Sequence, residues 1–168
     1  MNRAGRARQG AAASLPPAGI SQEFETSALE IVTKEIVDLH DFFTRWFNGT
    51  VDRAQLAPKF LSHLDDNVIF IPPEGHILTG EMLKGGFDSG YGSNTDFRIQ
   101  IRDVTIRQEI GDLVMATYTE WQVGATQSAH KNARVTSVLM KMTSPVTWLH
   151  IQETWLPDDV RDTGSFDF

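Results

Sequence analysis

The strongest constraint on this chain is an apolar stripe within residues 27–47. Leu29, Val32, Ile36, Leu39, Phe43, Trp46 and Phe47 recur mainly at spacings of three and four, the period of one face of an α-helix. Ser27 and Glu30 stand at capping-box spacing, where the hydroxyl accepts from a free N–H and the carboxylate reaches back. Asn48 and Gly49 follow, two residues that tolerate the left-handed backbone at a helix end. The helix so predicted is roughly 20 residues, or 30 Å at ~1.5 Å per residue. A short coiled coil could cover its apolar face. Three heptads without a charged flanking ladder argue for a different cover.

The rest of the chain supplies that cover. Residues 54–64 predict a shorter helical segment in which Pro58 opens a second turn and Phe60, Leu61 and Leu64 face inward. Val68 to Ile71 is a short β-branched strand closed by Pro72 and Pro73, and residues 76–79 return after a turn at Glu74 and Gly75. A short helix is expected from Thr79 through Phe87, and the glycines at 85, 86, 90 and 92 predict a flexible loop. Four longer strands follow, near residues 97–106, 113–121, 134–142 and 146–155, with turns at Gly111-Asp112 and Thr143-Ser144-Pro145. Asp103 interrupts the alternation of the first, which predicts a bulge. Helices first and hairpins after predict an α+β fold: a curved, mixed, mostly antiparallel sheet wrapped around the N-terminal helix with a pocket between them. No glycine-rich phosphate loop precedes a helix, and no cofactor is expected.

Charge narrows the partners. The chain carries 15 Lys and Arg against 22 Asp and Glu, and Arg3, Arg6 and Arg8 fall in the first twenty residues, which hold no acid. The remainder is therefore strongly acidic and offers no phosphate-neutralising cluster, so nucleic acid is not an expected partner. Residues 1–20 read as a disordered basic leader, with an organelle transit peptide as the alternative. Residues 21–157 read as one domain and residues 158–168 as a loose acidic tail. No apolar run of 18 residues exists, so no membrane span is expected. Cysteine is absent, which excludes thiolate chemistry and fits a cytoplasmic setting. Glu74 and His76, with His63 or Asp66, have no recognised metal-ligand spacing, and no metal site is expected.

The order of elements, together with Phe42 to Gly49, Leu64 to Phe70, Leu78 to Glu81, Arg134 to Val138 and Trp148 to Trp155, resembles the nuclear transport factor 2-like superfamily. The match covers about residues 27–157. This superfamily includes ketosteroid isomerase, SnoaL-type polyketide cyclases and kinase-II association domains. The resemblance implies a cone with an interior pocket and a homodimer joined through the outer sheet faces. It does not by itself carry a function. Ketosteroid isomerisation needs a carboxylate base, a tyrosine and a protonated aspartate. The matching positions hold Phe43, Pro72 and Val138, so this chemistry is not expected.

The expected pocket is lined by Phe43, Phe70, Phe87, Tyr91, Met115 and Thr117 as mostly apolar wall. Arg134, sharing a face with Thr136, is placed to hold a ligand carboxylate through two parallel hydrogen bonds. His150 shares a face with Trp148 and Gln152 and is the best candidate for a general base. The alternative for each is ordinary packing or a solvated strand end. Tyr118, Glu120, Glu153 and Trp155 are assigned to the outer, dimer-facing side. These residues support a small-molecule pocket, cyclase-like, isomerase-like or dehydratase-like, for an apolar or carboxylated ligand. The alternative is a non-catalytic association or ligand-sensing module.

Overall fold

The structure, a computed structural model, describes residues 26–168; the leader expected over 1–20 lies outside them. Helix α1 is Ala28–Phe47, opened by the Ser27–Glu30 capping box and closed at Asn48 and Gly49, the latter at φ 70°. Its buried stripe is Val32, Ile36, Leu39, Phe42 and Trp46. It runs one step around the helix from the expected line: Leu29 is exposed and Phe42 is core, while Phe43 faces a hollow. After a short 3₁₀ turn over Arg53–Gln55, α2 is the single turn Leu56–Lys59, with Pro58 inside its first turn where a missing N–H costs little. A second 3₁₀ turn, Leu61–His63, leads into the sheet.

Among the described residues six strands form one sheet: β1 (Leu64–Ile71), β2 (Leu78–Thr79), β3 (Arg98–Ile110), β4 (Leu113–Val123), β5 (Lys131–Lys141) and β6 (Thr147–Trp155). Their order is β2-β1-β6-β5-β4-β3, antiparallel throughout except for the parallel pair β1–β6. The mixed, mostly antiparallel expectation thus holds. Asp103 sits at φ 58° where the β3–β4 register shifts, the bulge its break in alternation predicted. Helix α3 is Gly80–Gly90. The glycines expected to form a loop mostly lie in this helix, and Gly90 is there because a Cβ would stand 2.6 Å from the Phe47 ring. The tail expected to be loose contains helix α4 (Asp158–Thr163), and Phe166 stacks edge-on against Trp121, centroids 5.1 Å apart.

Two polar ties hold the layers together. Trp46 donates its indole N–H to the Phe87 carbonyl at 2.8 Å, fixing α3 against α1. Glu35 on α1 accepts from the ring N–H of Trp148 on β6 at 2.9 Å and faces His63 Nδ1 at 2.7 Å. Cutting the carboxylate away would leave two mostly buried groups without a partner. Glu35→Ala is therefore expected to cost about 2–3 kcal/mol in urea unfolding, and Glu35→Gln, which keeps an acceptor, less than about 1 kcal/mol. Equal losses from the two would refute the tie.

Candidate functional site

The aromatic side of α1 and α3 does not fill the bend of the sheet, and a cavity of about 760 Å³ remains between them. Its helical wall is aromatic: Phe43, Phe60 and Phe87 touch with centroids 4.3–5.0 Å apart. The opposite wall is the concave face of β4, β5 and β6, and here register decides the chemistry. Val114, Met140 and Trp148 pair across the three strands, as do Ala116, Val138 and Ile151; these two rows are apolar core, from which Trp148 and Ile151 reach the cavity. The next rows are polar. Tyr118, Thr136 and Glu153 are aligned, then Glu120, Arg134 and Trp155, then Gln122 beside Asn132.

Arg134 is the centre of this patch. It donates to Glu153 Oε2 at 2.8 Å and to Asn132 Oδ1 at 2.9 Å, lies 4.8 Å from the Trp155 ring, and is paired directly across the strands with Glu120. Glu120 accepts from Gln122 and lies 3.4 Å from His40 Nε2. His40 Nδ1 is 2.7 Å from the Ile36 carbonyl. A carbonyl can only accept, so that nitrogen carries hydrogen and Nε2 is the one turned toward Glu120 and the Tyr118 hydroxyl, each at 3.4 Å. Basic and acidic groups thus alternate from His40 through Glu120 and Arg134 to Glu153, all at least nine-tenths buried except Arg134, whose side chain is 12% exposed.

The surroundings drive the two carboxyls apart. Burial alone would raise Glu120, but Arg134 and hydrogen bonds with His40 and Gln122 outweigh it and hold it at about 2. Burial, then repulsion from Glu120, lifts Glu153 to about 7 against the pull of Arg134. Burial opposes charge on His40, yet its hydrogen bond and attraction to Glu120 leave it above its ordinary value. Burial and the two nearby carboxylates push the Tyr118 phenol well above its ordinary value, so it keeps its proton.

The sequence expectations meet this site unevenly. Phe43, Phe70, Phe87, Arg134 and Trp148 line the cavity. Thr136 is fully buried behind the wall. Tyr91 does not reach it: its ring packs on Trp46 and its hydroxyl donates to the Val51 carbonyl at 2.8 Å. Met115 and Thr117 lie on the outer face, Met115 exposed and Thr117 accepting from Arg107. His150 and Gln152 also belong to the outer face, paired with Leu139 and Ser137. The reason is a one-residue irregularity between the Met140–Trp148 and Leu139–His150 pairs, which reverses the facing of every later residue in β6. Ile151, Glu153 and Trp155 therefore line the cavity, as do Tyr118 and Glu120, all but Ile151 assigned to the outside from sequence. Phe43 and Pro72 line the cavity at the matching isomerase positions and Val138 is buried, but the titratable groups stand elsewhere. Among the described residues no cluster of three or more His, Asp or Glu could hold a metal ion, and no helix is long and apolar enough to cross a membrane.

Solved structures share this architecture. An NTF2-like protein of unknown function from Pseudomonas aeruginosa is 22% identical, covers 76% of this chain and 99% of its own, and superposes with a TM-score of 0.69. A protein with a cystatin-like fold from Caulobacter vibrioides is 12% identical, with 79% and 92% coverage and a TM-score of 0.58. A cystatin-like domain of unknown function from Nostoc punctiforme is 13% identical, with 85% and 91% coverage and a TM-score of 0.58. The chain has the NTF2-like, cystatin-like α+β fold. No family model and no curated protein matches it.

Proposed function

We propose that this protein performs proton transfer on a small, uncharged, largely apolar molecule, as an isomerase, dehydratase or cyclase does. The observation that carries this reading is Arg134 standing between two buried carboxyls, Glu120 and Glu153, in one cavity. Carboxyls driven apart in proton affinity let one site hold an acid and a base together. Glu153, near 7, can give and take a proton at working pH. Glu120 stays ionised and supports the charge of Arg134. The Tyr118 hydroxyl, which keeps its proton, is a donor for an oxygen on which negative charge develops.

A carboxylated ligand fits less well. The Arg134 guanidinium is already occupied by Glu153 and Asn132, and Glu74 adds a further acid to the lining. Another carboxylate would meet like charge. The aromatic helical wall suits a neutral ring. A non-catalytic ligand-sensing or association module is the second reading. It is favoured by the way His40, Glu120, Arg134 and Glu153 already satisfy one another. A homodimer through the outer sheet face, where Ile110 and Met115 are exposed, is proposed with either.

The test is exchange of α-protons for deuterium in D₂O, followed by NMR for a panel of cyclic ketones and enones. The protein is expected to speed exchange over buffer for at least one compound, and Glu153→Gln to lower that rate by about 10²-fold or more. If no compound exchanges faster with the unaltered protein than with Glu153→Gln, the enzymatic reading falls and the binding module stands.

A further inference from the structure

The segment from Gly124 to His130 joins β4 to β5 at the cavity's mouth. Ala125, Thr126, Gln127 and Ser128 line the main cavity, and a second cavity of about 410 Å³ lies against Gln127, Ser128 and Ala129. The two cavities share Glu74, Gln127, Ser128 and Trp155. The segment therefore borders both cavities, and it is called the partition below. Its first residue is pinned: Gly124 has φ 82°, a Cβ there would stand 2.4 Å from the Asp96 carbonyl oxygen, and its own carbonyl accepts from Asn94 at 2.7 Å.

The far end of the partition is held by one side chain. Asn132, 1% exposed, donates through Nδ2 to Ser128 Oγ and to the Ala129 carbonyl, both at 3.0 Å. Its Oδ1 accepts from Arg134 at 2.9 Å, and the other arm of the same guanidinium holds Glu153 at 2.8 Å. An amide is the side chain that can do both, because it offers donors on one atom and an acceptor on the other. An aspartate could face the guanidinium but could not donate to the loop.

We propose that Asn132 is the positioning residue of this site, tying the Ala125–His130 partition to the guanidinium so that loosening the partition releases Arg134 from Glu153. Opening of the mouth and the state of the acid are then one event. With the partition in place, Arg134 is clamped between Asn132 and Glu153. With it displaced, the guanidinium loses a fixed partner and is free to turn toward Glu120 across the strand pair. The consequence for catalysis rests on Glu153 being the proton carrier; the tie itself is tested without any substrate.

The experiment uses the full chain with ¹³C-labelled glutamate carboxyls, the Glu153 signal being identified by its loss in Glu153→Gln. The titration midpoint of Glu153 and the amide exchange of residues 125–130 are followed in Asn132→Leu and Ser128→Ala. Both variants are expected to speed loop exchange, Asn132→Leu by about tenfold or more. Both should raise the Glu153 midpoint, by more than about half a pH unit for Asn132→Leu and less for Ser128→Ala, because the guanidinium that pulls it down is less firmly placed. A looser loop with an unmoved midpoint would overturn the inference, as would two unmoved readouts. Ser128 is partly exposed and tolerates truncation, so that variant decides alone if Asn132→Leu does not fold. A protein that moved the midpoint as expected yet exchanged no ketone proton would keep the tie and lose the proposed activity.

Discussion

Arg134→Met is expected to lower stability at pH 7.5 by about 3–5 kcal/mol, measured by urea unfolding, because it removes the one cation between two buried carboxyls and leaves their charge uncompensated. Methionine keeps much of the buried volume, so the loss reports charge more than packing. The effect should depend on pH. As pH falls toward 5, Glu153 gains its proton and the uncompensated charge shrinks, so the deficit should narrow. Adding Glu153→Gln to Arg134→Met should return part of it, since the pair shares one partner and the two changes cannot be additive. An unchanged unfolding midpoint, or the same loss at pH 5 and pH 7.5, would show that Arg134 does not carry this charge.

Glu153→Gln alone should act in the opposite direction and make the protein more stable at pH 8, by at most about 3 kcal/mol. In the unfolded chain Glu153 releases its proton near its ordinary value of 4.5; in the folded protein it does so at about 7. Between these values the folded state holds a proton that the unfolded state has lost, so stability falls as pH rises through that window and is level above it. Glutamine is neutral throughout and keeps an acceptor for Arg134, so the variant should lack this decline. Glu120 contributes the other way: its stabilisation is present above 4.5 and fades as pH drops toward about 2. His40, raised above its ordinary 6.5, adds stability that is full below that value and fades as pH climbs past its folded value. The three together place the site's greatest stability near pH 5, and unfolding midpoints at pH 5 and pH 8 for both proteins measure the difference. Identical declines in the two would remove Glu153 from the role given to it. The same variant that gains stability is the one expected to lose proton exchange, which is the usual relation between a strained charge and its use.

Much of the architecture was legible along the chain, because it depends on contacts a few residues apart. The period of three and four in α1, its cap at Ser27 and its stop at Gly49 need no distant partner. The bulge at Asp103 announced itself by breaking alternation. Arg134 was singled out as an inward polar residue on β5, and it lines the cavity. The remaining charged residues were misassigned for two specific reasons. In β4, Met115 and Thr117 share one face with Trp121, opposite Tyr118 and Glu120, and apolar Met115 and Trp121 give that outer face the look of core. Trp121 is indeed buried, but on the outside, beneath Phe166 and beside Arg102. In β6, alternation counted forward from Trp148 fails at the irregularity between Trp148 and His150.

The sequence by itself therefore determined the long helix, the long strands and the order that makes the fold α+β. Those follow from local periodicity and turn residues. Only the tertiary structure decided which face of β4 and β6 looks into the hollow. Facing in a strand is a parity, one extra residue reverses it, and a tail docked from far along the chain can bury the wrong side. Glu120 and Glu153 owe their places beside Arg134 to those two long-range facts.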